Sequence, residues 1–136
     1  MNIISLLPAD TYTVVNKSII TEDDKKNIIS LYEPIIGPIA VSLYFTLLRD
    51  IKLMEFISKD YTHHHLMTIM KSSIDTIRIA RESLEGVGLL KSYYKEGEPN
   101  SYVYEIYSPL SPKEFFASPI FNITLYLPIK YEKEQM

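Results

Sequence analysis

The longest run of regular hydrophobic spacing follows Gly37-Pro38. Ile39, Ala40, Leu43, Tyr44, Leu47, Leu48 and Ile51 recur every three or four positions, which predicts a helix burying one face and makes it the core helix of the domain. Pro38 opens it at no cost, because the first helical amide has no partner within the helix. Ahead of it, Ile28, Ile29, Leu31 and Tyr32 form the apolar side of a helix that starts at Thr21. There Asp24 completes a capping box, Glu22 and Asp23 sit where the helix dipole favours acid, and Pro34 is expected to end the helix at Glu33. Asp50 to Asp60 reads as the helix end and a connection.

Thr62 is expected to cap a third helix, which carries His63, His64 and His65 and runs to Met70. Ser72 with Asp75 predicts the cap of a fourth, in which Ile74, Ile77, Arg81 and Leu84 share one face beside Ala80. Asp75, Arg78, Glu82 and Glu85 are left to water, and Gly86 is the expected left-handed stop. The pattern then changes. Leu89 to Lys95 and Ser101 to Tyr107 are rich in β-branched and aromatic residues, and Glu96-Gly97-Glu98-Pro99-Asn100 between them has turn chemistry, so the pair predicts a β-hairpin.

Helix, turn, helix and hairpin in this order describe a winged helix with the hairpin as its wing, an α+β fold that is mostly helical. Tyr12 to Val15 and Ser18 to Ile20 are β-prone and are read as one extended strand joining the hairpin sheet. Beyond the wing, Ser111 or Pro112 is expected to start a short helix through Phe115 and Phe116. Ser118-Pro119 is expected to cap another through Ile120, Phe121, Ile123, Leu125, Tyr126 and Leu127. The expected organisation is therefore an N-terminal extension and strand over 1–20, a winged-helix core over 21–107, a helical oligomerisation extension over 108–129 and a tail over 130–136.

Composition narrows the possibilities. At 136 residues the chain is one domain by length. With no cysteine, disulfides, thiol catalysis and thiolate metal sites are excluded. The 14 basic and 17 acidic residues leave a net charge of -3, without the basic face that supplies most of the affinity of a free-standing DNA-binding domain. No apolar run approaches the roughly 20 residues of a membrane span, and Met1-Asn2-Ile3-Ile4-Ser5-Leu6-Leu7-Pro8 lacks the charged lead of a signal peptide. A soluble, cytoplasmic protein is the expectation.

The candidate chemistry is sparse. Consecutive histidines on a helix point about 100° apart, whereas two ligands of one ion need spacing of three or four. His63 to His65 are accordingly read as a solvated helix start, with no metal and no cofactor. No paired carboxylates, glycine-rich phosphate loop or nucleophile elbow stands among these residues, so no catalytic residue is assigned. The eleven tyrosines invite base stacking, but around Tyr93, Tyr94, Tyr102, Tyr104 and Tyr107 stand only Lys91 and Lys95, opposed by Glu96, Glu98 and Glu105. Strand packing and a protein interface suit them better. Lys71, Arg78, Arg81, Lys91 and Lys95 are the candidate nucleic-acid contacts. Leu6, Leu7, Tyr12, Phe115, Phe116, Phe121, Leu125 and Tyr126 are the candidate oligomer interface, chosen for apolar character outside the minimal fold.

Three blocks carry a family resemblance: Leu31 to Tyr44, with its Tyr32-Glu33-Pro34-Ile35-Ile36-Gly37-Pro38 centre; Leu84-Glu85-Gly86-Val87-Gly88-Leu89-Leu90; and Tyr104 to Phe116, with Pro109-Leu110-Ser111-Pro112-Lys113-Glu114-Phe115-Phe116. From Leu7 to Leu127 the chain resembles the N-terminal domain of the DnaB replication initiation and membrane attachment proteins of low-GC Gram-positive bacteria. These are relatives of DnaD, distinct from the ring helicase of the same name. The resemblance implies a winged helix that forms dimers or tetramers. It implies a scaffold role in a primosome, with a DnaD-type protein and a helicase loader as partners in placing the replicative helicase at the origin or a restarted fork. DNA contact would be weak here or carried by more C-terminal parts, and any membrane association peripheral. The contrasting reading is a winged-helix regulator that binds duplex DNA.

Overall fold

The computed structural model describes residues 5–52 and 55–119. Its strands are β1 (Thr11–Asn16), β2 (Tyr61–Thr62), β3 (Leu90–Lys95) and β4 (Ser101–Ile106), and its helices are α1 (Glu22–Asn27), α2 (Glu33–Asp50), α3 (His63–Met70), α4 (Ile74–Gly86) and α5 (Pro112–Ala117). The sheet runs β2-β1-β4-β3. The expected hairpin is present, antiparallel from Leu90 opposite Ile106 to Lys95 opposite Ser101. β1 joins it in parallel, with Tyr12 beside Tyr102 and Val14 beside Tyr104. Alternation along these strands puts Tyr12, Val14, Tyr102, Tyr104 and Ile106 on one face. They are buried there with Leu43, Tyr44 and Leu47 of α2, Leu66 of α3 and Ile77, Ala80 and Leu84 of α4.

The winged helix and the mixed α+β class are as expected, and several local boundaries differ. The capping box of Thr21 and Asp24 is formed, but Pro34 does not end the helix. The chain passes from α1 through a π-helical segment, Ile28–Tyr32, where the Glu33 amide donates to the Ile28 carbonyl five residues back. That wider turn relieves the clash between a proline ring and the carbonyl four residues earlier, so α2 begins before Pro34 and carries it. The break comes at Gly37, with φ 86° and ψ 166°, a region essentially reserved for glycine. Gly37→Ala is expected to destabilise the domain by about 1–3 kcal/mol; a denaturant midpoint unchanged from the parent would show that the helix does not need this corner.

The cap of α4 is Ser73, whose side chain accepts from the Thr76 amide. Ser72 instead donates its hydroxyl to the Met70 carbonyl. The shift follows from Lys71, left-handed at φ 49° at the end of α3, which turns the chain by one more residue before helix can restart. At the far end Gly86 is still helical and Gly88 is the left-handed residue at φ 80°. Ser18 to Ile20 lie outside β1, because the Asn16 side chain accepts from the Ser18 amide and turns the chain. Beyond the wing, Ser111 and Glu114 form a capping box at the start of α5. The helix expected from Ile120 onward lies outside the described residues.

Candidate functional site

In a winged helix α4 and the wing are the surfaces to test for DNA. The outward stripe of α4 is Asp75, Ile79 and Glu82, all exposed. Arg78, the cation beside that stripe, is held by two of its own acids: Nη2 lies 2.8 Å from Asp75 Oδ1 and Nη1 3.0 Å from Glu82 Oε1. The hydrogen bond to Asp75, reinforced by both carboxylates, raises its pKa further. Arg81 turns inward, its guanidinium carbon 5.5 Å from the Tyr102 ring centroid and its Nε 3.8 Å from Glu85. The helix thus carries two arginines, one paired at the surface with Asp75 and Glu82 and one turned inward.

The other three cations lie elsewhere. Lys71 is exposed at the α3–α4 turn, and Lys91 and Lys95 are exposed on β3. Lys91 Nζ lies 5.8 Å from the Tyr107 ring centroid.

Beneath α4 lies a polar network that the sequence reading missed. His63, expected at a solvated helix start, is fully buried. Its Nδ1 is 2.6 Å from the Asp10 carbonyl oxygen and its Nε2 2.5 Å from the Tyr104 hydroxyl, so a neutral ring that donates at Nδ1 and accepts at Nε2 satisfies both. Burial depresses its pKa, and Arg81 adds to that, while the Asp10 carbonyl and carboxylate act in the opposite sense. Nearby, the buried Tyr12 hydroxyl donates to Asp50 Oδ2 at 2.6 Å, and His65 Nε2 lies 3.3 Å from Asp50 Oδ1. Burial, and then the bond to Asp50, push the Tyr12 pKa up. Each link joins segments distant in sequence, so no local spacing announces it. Among the described residues no three His, Asp or Glu side chains gather as a metal would require.

The candidate interface residues divide in two. Leu6, Tyr12 and Phe115 are buried in the domain's own core. Leu7 and Phe116 are each 52% exposed. Phe121, Leu125 and Tyr126 lie outside the described residues. The sequence reading did not select Ile19, Phe56 and Ile57, which are exposed together with Ile79.

The model of one family, that of the DnaB N-terminal winged helix domain, matches residues 6–129. The chain belongs to that family. It is 28% identical over 129 residues to the replicative helicase loading/DNA remodeling protein DnaB of Staphylococcus aureus, a match covering 94% of this chain and 28% of the relative. A crystal structure of primosome protein DnaB (residues 1–300) from Geobacillus stearothermophilus superposes with a TM-score of 0.81 at 35% identity, covering 89% of this chain and 46% of that one. The chain thus spans less than half the length of either relative.

One expectation about membranes needs correction. Glu22–Asp50 is 29 residues of helical chain, long and apolar enough to cross a bilayer by length and composition alone. In this fold it is interrupted at Gly37 and supplies Tyr32, Leu43, Tyr44 and Leu47 to the core, while Ile29 and Ile39 stay exposed.

Proposed function

We propose that this domain is a non-enzymatic scaffold that associates with copies of itself, as a dimer or tetramer, inside a replication-initiation protein and helps place the replicative helicase at the origin or a restarted fork. The observation that carries the reading is α4. The helix that a duplex reader would present shows Asp75, Ile79 and Glu82 outward and pairs Arg78 internally. Carboxylates at that position oppose phosphate, whereas an isoleucine between acids suits a protein surface. Membership of the family supports replication as the setting, and the relative's name supports helicase loading. A DnaD-type protein and the helicase loader are the proposed partners. The proposed location is the cytoplasm, with peripheral contact to the membrane, and DNA contact is proposed to be weak in this domain or carried by more C-terminal parts.

Self-association is assigned to Leu7 and Phe116 together with the 108–129 extension, including Phe121, Leu125 and Tyr126. The double substitution Leu7→Ser and Phe116→Ser is expected to move the mass in solution toward a single chain while changing fold stability by no more than about 1 kcal/mol, since both side chains are half exposed. A folded variant with the parent's mass would remove these two residues from the interface. The regulator reading keeps one observation in its favour: Lys71, Lys91 and Lys95 are exposed and enter no ion pair among the described residues.

A further inference from the structure

Strand β3 stands at one end of the sheet, with no strand beyond it among the described residues. Three backbone bonds fix which way its peptide groups face. The Thr11 amide donates to the Asn100 carbonyl and the Lys17 amide to the Ile106 carbonyl, so the even-numbered carbonyls from Asn100 to Ile106 face β1; on the other side of β4 the Tyr107 amide donates to the Leu89 carbonyl. Alternation then turns the backbone of Lys91, Tyr93 and Lys95 toward β4 and directs the amides and carbonyls of Leu90, Ser92 and Tyr94 away from the sheet. Such a row is a template for one more strand. Ser92, at its centre, has its Oγ buried without a hydrogen-bond partner among the described residues.

Charge selects what that strand is. Lys91, Tyr93 and Lys95 lie on the sheet face away from the core and are all exposed, Tyr93 by 51%. Neither lysine enters an ion pair among the described residues. Glu105, opposite Lys91 in the register, is engaged by Lys17 at 3.5 Å and by the Tyr107 hydroxyl at 2.9 Å, and Glu96 and Glu98 lie in the turn beyond the strand. A second copy is a poor occupant, because two β3 strands paired antiparallel would set the lysines of both on one face, where like charges repel. An extended peptide with alternate acids and an apolar residue between them fits: its carboxylates meet Lys91 and Lys95, its apolar side chain covers Tyr93, and its backbone bonds the open edge.

We propose that the outer edge of β3 takes an extended acidic segment of a partner protein as a fifth strand, with alternate acids seated on Lys91 and Lys95. The site rests on the protein-binding reading of the domain and gives the exposed lysines of the wing a use other than phosphate. It does not involve Leu7 or Phe116, so a single-chain mass with peptide bound and an oligomer that leaves the edge empty are separate results.

The probe is the acetylated, amidated peptide EVITEV, added to the full, 15N-labelled chain. Laid antiparallel, it sets Glu against Lys95 and Lys91, Ile against Tyr93 and Thr against Ser92. Hydrogen exchange at the Leu90, Ser92 and Tyr94 amides is expected to slow several-fold. Methylating the amide nitrogens of the peptide's second and fourth residues is expected to abolish that protection, and methylating the third and fifth to leave it, since only the first set faces the edge. The peptide KVITKV is expected to bind more weakly, and Lys91→Glu with Lys95→Glu in the chain to reverse that preference; the two methylated peptides decide the matter should this variant fail to fold. Equal loss with both methylation patterns, or no protection up to millimolar peptide, would overturn the proposal. A short DNA duplex that shifts the Lys91 and Lys95 signals at lower concentration than the peptide, without protecting those amides, would assign the lysines to phosphate and overturn it as well.

Discussion

Replacing His63 by leucine is expected to destabilise the domain by about 1–3 kcal/mol, because the buried Tyr104 hydroxyl loses its acceptor. The Tyr104 hydroxyl loses an acceptor at 2.5 Å in a site where His63 and Tyr104 are 0% and 2% exposed, while the Asp10 carbonyl loses the ring donor at 2.6 Å but keeps the backbone amide of residue 63 at 2.9 Å. The effect is also tied to pH. The native ring is held neutral below its ordinary pKa of 6.5, whereas an unfolded chain takes up a proton as pH falls through that value. Stability is therefore full above 6.5 and declines below it toward the depressed native pKa, by at most about 1.4 kcal/mol per pH unit for one proton. The charged and titratable groups around the ring are Asp10, Arg81, Tyr12, Tyr102 and Tyr104. Urea unfolding of parent and variant between pH 8 and 5 reads both effects: the gap between them should be widest at pH 8 and narrow as pH falls. A gap below about 1 kcal/mol at pH 8 would show that the network contributes little.

Phe115→Ala is expected to cost about 3–5 kcal/mol, the usual range for emptying a buried phenylalanine site. Phe115 is fully buried against Tyr32, and the Tyr32 hydroxyl in turn accepts from the Leu110 amide, so the side chain fastens the segment after the wing to the junction of α1 and α2. Its neighbour is the control. Phe116 is half exposed, and Phe116→Ala should change the unfolding free energy by no more than about 1 kcal/mol while weakening self-association. The reverse pattern, a stable Phe115→Ala with altered mass and an unstable Phe116→Ala, would exchange the two roles. The sequence alone grouped these phenylalanines together, and burial separates them.

That separation illustrates what the chain discloses before it is folded. Periodicity located α2 through Ile39, Leu43, Tyr44 and Leu47, and the hairpin through its tyrosine-rich strands, because both signals repeat over many residues. Thr21 with Asp24 was legible as a capping box, since the partners stand three residues apart, whereas Ser111 was legible only as one of two helix starts, and the box with Glu114 is seen in the fold. Single-residue punctuation was less legible. Pro34 reads as a stop, yet a π-helical turn accommodates it, and Gly86 reads as a stop, yet Gly88 adopts the left-handed conformation. The burial of His63 was not legible at all. It depends on Asp10 and Tyr104, 53 and 41 residues away, and a run of three histidines looks solvent-facing until the strands on either side are in place. The electrostatics of α4 were half legible: the acids stand in the sequence, but only the geometry shows that they take up Arg78 and that Arg81 turns beneath Tyr102.

The central claim is that this winged helix meets proteins rather than duplex DNA, and light scattering beside a duplex shift assay from 50 to 200 mM salt tests it most directly. The expected result is a mass of at least two chains that persists across the series, because apolar contacts are not screened, with no shift of duplex at either end. A single-chain mass together with tight duplex binding that weakens by about a thousandfold or more over that range would contradict it.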